Sequence, residues 1–337
     1  MADGEELSSS ALYRDNPEWA DVKPIYPTKE EDGAVRIAVS EQFRDAFAYF
    51  RAVLASGEKS PRAFKLTEDC IQLNPANYTL WKQIEQIKRI KKDENRQFRR
   101  ELLKELNVDL SKELKYLDDV IMQTPKNYQV WHHRRCVVEW IGASVVEDEL
   151  SFNAQAVVFF VVFMFVGEDI KKAIDAELAF TTLRLYEDPR NNSAWNNRYF
   201  VLQINNCFAD PEVVDKEISL AKLFIEKMPN NESVWNYLAG LLLNSGLSSR
   251  PNVIDFVEDL YERTEASARA PYLVSFIRDI LLEKIENDVN AAESCKRAKE
   301  LYTELIALDP VRSNYWKHQM RVADNKLERR GFKTTAK

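Results

Sequence analysis

The sequence is poor in turn formers and in the usual metal and redox residues, and each scarcity narrows what the chain can be. Eight glycines and twelve prolines in 337 residues are too few for the frequent tight turns of a sandwich or barrel, and they favour helices joined by short connections. The four cysteines, Cys70, Cys136, Cys207 and Cys295, are scattered without a Cys-x-x-Cys pair, which removes the pattern of a disulfide framework or a zinc knuckle and fits reduced thiols. There is no glycine-rich phosphate loop and no nucleophile triad, so an enzyme acting alone is not expected. The first ten residues, MADGEELSSS, carry neither the basic nor the apolar part of a signal peptide, and a cytoplasmic location is the expectation. Neither sign of charge dominates: 47 Lys and Arg face 54 Asp and Glu, a net charge of −7, so no global field draws in nucleic acid or an anionic membrane. The apolar run from Ala156 to Val166 falls short of the ~20 residues a bilayer span needs.

What is present is a repeat. A proline stands six residues before a tryptophan at five places: Pro75 and Trp81, Pro125 and Trp131, Pro189 and Trp195, Pro229 and Trp235, Pro310 and Trp316. Four residues ahead of each proline is a branched aliphatic residue, in order Ile71, Ile121, Leu185, Ile225 and Ile306. In the first four copies an asparagine (Asn77, Asn127, Asn191, Asn231) lies four residues before the tryptophan, whereas the fifth has Arg312. This order predicts a helix with the branched residue on its apolar face, a break enforced by proline, an asparagine cap, and a second helix beginning beneath the tryptophan. A single hairpin cannot cover its own apolar stripe, so neighbours must stack, with the tryptophans as core packing between them. The expected fold is therefore all-α, a right-handed superhelical solenoid of tetratricopeptide-like hairpins. Helical segments over Pro251 to Arg263 and Tyr272 to Glu286 predict one further hairpin without the signature.

The repeat domain is expected over residues 36–324, opened by an amphipathic helix from Ser40 to Leu54 that carries Phe43, Phe47, Phe50 and Leu54 on one face. Residues 1–35 read as a flexible arm ordered near its aromatic residues, and 325–337 as a disordered tail.

Five stretches go beyond a generic helical repeat: Tyr13-Arg-Asp-Asn-Pro-Glu-Trp-Ala-Asp21, Phe43-Arg-Asp-Ala-Phe-Ala-Tyr-Phe-Arg-Ala-Val-Leu54, Pro125-Lys-Asn-Tyr-Gln-Val-Trp-His-His-Arg-Arg135, Arg190-Asn-Asn-Ser-Ala-Trp-Asn-Asn-Arg-Tyr-Phe200 and Asn231-Glu-Ser-Val-Trp-Asn-Tyr-Leu238. Together they closely resemble the alpha subunit shared by protein farnesyltransferase and type I protein geranylgeranyltransferase. The resemblance implies a crescent of hairpins around a separate beta subunit, which holds the zinc and the prenyl pocket and decides which prenyl group is transferred; magnesium is implied as well. It also implies the reaction: a zinc-bound cysteine thiolate of a CaaX-box protein attacks farnesyl or geranylgeranyl diphosphate, and diphosphate leaves.

The second repeat fits that chemistry from its residues too. Lys126 precedes the cap Asn127, so its ammonium sits beside a helix N-terminus, and both features favour an anion. By resemblance Lys126 is the catalytic and substrate-binding contact to the prenyl diphosphate. Gln129 meets the terminal carboxylate of the peptide and Tyr128 lines the junction, although a surface glutamine by itself needs no explanation. His132, His133 and Cys136 have no further ligand cluster near them in sequence, and packing or partner contact is expected of them rather than a metal. For Arg134, Arg135 and Arg198, ion pairs between neighbouring hairpins are expected, with contact at an interface as the second reading.

Two segments depart from the family pattern. After Trp81 a polar stretch, 82–97, intervenes before Phe98-Arg99-Arg100; it reads as an insertion that extends a helix or bulges out, a solvated charged helix rather than a nucleic-acid patch. Within 153–170, where a third repeat is due, the run Ala156-Val-Val-Phe-Phe-Val-Val-Phe-Met-Phe-Val166 lacks proline, asparagine, tyrosine and tryptophan. A buried helix, a strand-like core segment and an exposed aggregation-prone segment all fit it. No diphosphate contact is carried over there, and the competing function is a catalytically defective isoform that acts as a partner-binding scaffold. The last residues, Lys-Thr-Thr-Ala-Lys337, form no CaaX box, so the chain is not expected to be its own substrate.

Overall fold

A computed structural model describes residues 12–28, 38–77, 98–150, 156–287 and 289–329, with backbone alone for 142–150, 156–170, 173 and 325–329. Among these residues all regular structure is helical, as the proline and glycine counts require. Two compact units divide the chain, Met1–Gly167 and Glu168–Lys337.

In the first unit, α1 (Glu41–Ser56) packs on α2 (Pro61–Leu73), followed by α3 (Phe98–Glu105) and the hairpin of α4 (Leu110–Gln123) with α5 (Tyr128–Leu150). The Ser40 hydroxyl accepts from the Phe43 N–H at 3.1 Å to start α1, and Gly57 ends it at φ 68°, a left-handed conformation that glycine adopts without a Cβ penalty. Ahead of α1, short 3₁₀ turns at Tyr13–Asp15 and Pro17–Trp19 lay a buried Trp19 edge-on against Tyr49, with ring centroids 5.7 Å apart. The inserted stretch 82–97 and Trp81 lie outside the described residues.

Helix α6 (Ala156–Glu187) runs unbroken through the apolar segment, so 156–166 is helical and not strand-like. The second unit continues with α7 (Asn192–Ile204), α8 (Pro211–Lys227), α9 (Glu232–Leu241), α10 (Pro251–Arg263), α11 (Pro271–Glu286), α12 (Ala291–Leu308) and α13 (Ser313–Arg329). The hairpin expected without a signature is α10 with α11, within one residue of its predicted bounds. The tail expected from Asn325 enters as the end of α13, and 330–337 lie outside the described residues.

The spacing of proline to tryptophan has a physical cause. The indole N–H of Trp131, Trp195 and Trp235 donates to the carbonyl of Pro125, Pro189 and Pro229 at 2.8, 2.9 and 2.8 Å, and each ring is at most 3% exposed. A buried indole thereby meets its one hydrogen-bonding need inside its own turn. The asparagines act twice. The Asn191 oxygen accepts from the N–H of Ser193 and Ala194, and that of Asn231 from Ser233, as N-caps. The amide of Asn231 then donates to the Pro189 carbonyl of the preceding copy at 2.7 Å, as Asn127 does to Pro75 at 2.6 Å. The fifth copy departs where its asparagine is lost: Trp316 bonds Asp309 at 3.0 Å, and Ile306 is half-buried beside a fully buried Leu305.

Trp195→Phe would keep a ring in the layer but leave the Pro189 carbonyl with Asn231 alone, an expected loss of about 1–2 kcal/mol. Asn231→Ala removes a cap and an inter-repeat bond, about 2 kcal/mol. Because both donors serve one carbonyl, the double variant strips it of both, and its loss should exceed the sum of the two single losses in urea denaturation.

Candidate functional site

The turn between α4 and α5 holds the three residues singled out by the sequence. Thr124 closes α4, and the Asn127 N–H donates back to its carbonyl at 3.1 Å. Asn127 then caps α5, its oxygen accepting from the Gln129 N–H at 3.1 Å. The Asn127–Pro75 and Trp131–Pro125 bonds hold this turn from both sides, so its backbone is fixed to two repeats. Lys126 and Tyr128 are exposed, Tyr128 by 59%. An exposed ammonium one residue ahead of the cap, beside the positive end of a 23-residue helix, is an arrangement that attracts an anion.

Gln129 differs from expectation. It is only 7% exposed, and its buried Oε1 has no hydrogen-bond donor. The cap explains why: Gln129 follows Asn127 by two residues in the first turn of α5, and that position faces inward with Val130 and Trp131, which are also buried. A buried amide oxygen without a donor is costly to fold around.

The repeats also share a constellation that sequence reading missed. Glu113 sits eight residues before Ile121, and Glu177 and Glu217 occupy the same place before Leu185 and Ile225. All three carboxylates are buried. Arg99 of α3 meets Glu113 of α4 through two bonds, Nε to Oε1 at 2.8 Å and Nη2 to Oε2 at 2.7 Å, and also donates to Thr67 at 2.7 Å. Arg198 of α7 meets Glu217 of α8 in the same two-pronged way at 2.6 and 2.7 Å. The residue two places after each tryptophan completes the set: His133, Asn197 and Tyr237 contact Glu113, Glu177 and Glu217 at 2.9, 2.7 and 2.6 Å. The glutamate spacing was visible in the sequence, but nothing local marks these acids as buried.

His133 is therefore a packing residue. Arg100 Nε donates to its Nδ1 at 3.2 Å, so Nε2 carries the proton and donates to Glu113. Among the described residues no group of three His, Cys, Asp or Glu gathers as a metal site. The ion pairs expected between hairpins form for Arg198, but Arg134 pairs within its own hairpin, with Asp118 at 2.7 Å. Position decides this: Asp118 stands five residues after Glu113 on α4 and faces Arg134 across the hairpin.

These groups titrate in acid. Burial alone would raise the Glu113 carboxyl, but the Arg99 charge and the bonds from His133 and Arg99 outweigh it and hold the pKa at about 2, below the ordinary 4.5. Burial pushes His133 down from 6.5 to about 4, against the opposing pull of Glu113. Both groups bind protons less readily folded than unfolded, so both contributions are complete above the unfolded values and lost as pH falls. Stability is expected to drop from about pH 6.5 to 4 through His133 and again from about 4.5 to 2 through Glu113, by roughly 2–3 kcal/mol each. His133→Asn should remove the upper limb of a urea-midpoint against pH curve while folding normally near neutrality, since Asn197 already serves that position in another copy.

Comparison with known proteins shows the family. A family model described as protein prenyltransferase alpha subunit repeat matches residues 110–141, 174–205 and 214–245. A Dictyostelium discoideum protein named protein farnesyltransferase/geranylgeranyltransferase type-1 subunit alpha is 32% identical over 97% of this chain and 99% of its own length. The chain belongs to the protein prenyltransferase alpha subunit family. A tomato (Solanum lycopersicum) relative of the same name is 40% identical across 34% of this chain and 29% of its own. A chain of the Candida albicans protein geranylgeranyltransferase-I complexed with GGPP is 22% identical with a TM-score of 0.45, covering 90% of this chain and 97% of that one. The three repeats matched by the alpha subunit model are those that carry the buried glutamates. No described helix is long and apolar enough to cross a membrane.

Proposed function

We propose that this chain is the alpha subunit of a heterodimeric CaaX protein prenyltransferase, active only with a beta subunit. The observation that carries the reading is the end-to-end match to a relative of that name. It is supported by the fixed turn that presents Lys126 at the N-terminus of α5. In this role Lys126 stabilises the charge that develops on the departing diphosphate. Tyr128 lines the junction, and Gln129 meets the peptide carboxylate, its buried amide becoming accessible as the partner seats. The donor set at this turn is an ammonium, a phenol and an amide, which suits an anion and not a divalent cation. Zinc, which activates the cysteine thiolate of the CaaX protein, and magnesium are accordingly assigned to the partner's side of the site.

Co-expression with a farnesyl- or geranylgeranyl-type beta subunit tests this. A stable heterodimer that transfers the prenyl group to a CaaX peptide is the expected result, and failure to form any heterodimer would refute it. The segment 156–166, where a third Pro-Asn-Trp copy is missing, supports a second reading as a non-catalytic scaffold. That reading requires a heterodimer with no turnover.

A further inference from the structure

A cavity of about 600 Å³ opens between the 3₁₀ turns at 13–19 and helices α1 and α2, within the first unit. Tyr13, Trp19, Asp45, Arg62, Lys65 and Asp69 are among its walls. Its size falls in the range of small-ligand sites. Its charges are unevenly settled. Arg62 is held by Asp21 at 2.7 Å and Glu58 at 2.7 Å, and Lys65 lies 3.1 Å from Glu68 and 3.8 Å from Asp69. Both cations of the wall are thus already matched by carboxylates.

Asp45 is not. It is 2% exposed, and its Oδ2 accepts the Tyr13 backbone N–H at 2.5 Å. Its Oδ1 is buried with no hydrogen-bond partner, and among the described residues Asp45 forms no ion pair. A buried carboxylate oxygen without a donor is among the costliest groups to leave unmet. Two aromatic side chains, Tyr13 and Trp19, stand in the same lining, and one of them already accepts a guanidinium: that of Arg62 lies 5.0 Å from the Trp19 ring. A planar cation could donate to Asp45 while stacking on rings that attract positive charge.

We propose that this cavity binds the guanidinium of an arginine side chain presented by a partner peptide. The assignment is independent of the prenyl-transfer reading, since none of its walls belongs to the turn at 125–129.

The test uses the full-length chain and two probes of one shape, N-acetyl-arginine amide and the uncharged N-acetyl-citrulline amide, followed by calorimetric titration. Saturable binding of the arginine probe is expected, with the citrulline probe at least about tenfold weaker. Asp45→Asn should weaken the arginine probe by a similar factor. Because Asp45 also anchors Tyr13, a second variant guards against misfolding: Gln42→Arg places a guanidinium one helical turn before Asp45 on α1, in the cavity wall. It should abolish probe binding and raise the melting temperature. Equal binding of the two probes, unchanged binding in either variant, or no saturable binding would overturn the proposal.

Discussion

Replacing Arg99 by alanine is expected to destabilise the first unit by about 3–5 kcal/mol, the largest effect of any single substitution considered for its stability. Arg99 is fully buried, its guanidinium lies 4.2 and 4.6 Å from the rings of Phe64 and Tyr116, and its two bonds to Glu113 bring a full positive charge to a carboxylate that is 2% exposed. Removing the arginine leaves Glu113, among the described residues, with the bond from His133. The histidine would then gain a proton more readily, because the positive charge of Arg99 is one of the influences holding it down. The loss should therefore be greatest near neutral pH and smaller at about pH 5. Urea midpoints at the two pH values check this; an equal loss at both would show that His133 does not respond. Arg99→Met combined with Glu113→Leu should recover much of the stability, since the pair is costly mainly when broken.

Lys126→Ala should leave stability within about 0.5 kcal/mol, as an exposed residue, yet lower turnover of the heterodimer by about 10²-fold. The two readouts separate roles. A cation acting on a leaving diphosphate affects the transition state more than the ground state, so kcat should fall with little change in the KM for the CaaX peptide. Lys126→Arg, which keeps the charge but changes its reach, should recover part of the rate. Unchanged turnover in Lys126→Ala would remove this residue from the mechanism while leaving the heterodimer itself intact.

Much of the architecture was legible because a hairpin repeat writes itself into local spacing. Pro, Asn and Trp recur at fixed offsets because one turn must end a helix, cap the next and house an indole. All three tasks involve residues within seven positions of one another. The signatureless hairpin α10 and α11 was found from helical period alone. The candidate turn was legible in part. The exposed Lys126 beside a helix start could be inferred from the cap, whereas the burial of Gln129 could not, because it depends on which way the first turn of α5 faces.

The sequence by itself determined that this chain is a stack of helical hairpins, where its helices break, and which residues cap them. The tertiary structure alone decided how one copy is tied to the next. The Asn231 amide reaches a carbonyl 42 residues earlier and the Asn127 amide one 52 residues earlier, while Glu113 and Glu217 each collect an arginine from the helix before, and Glu113, Glu177 and Glu217 collect a histidine, an asparagine and a tyrosine from the helix after. The cavity over Asp45 likewise exists only once the turns at 13–19 lie on α1. Periodicity fixes the face a side chain occupies. Which distant group meets it there depends on the packing of elements far apart in the chain, and spacing within one element carries no record of that.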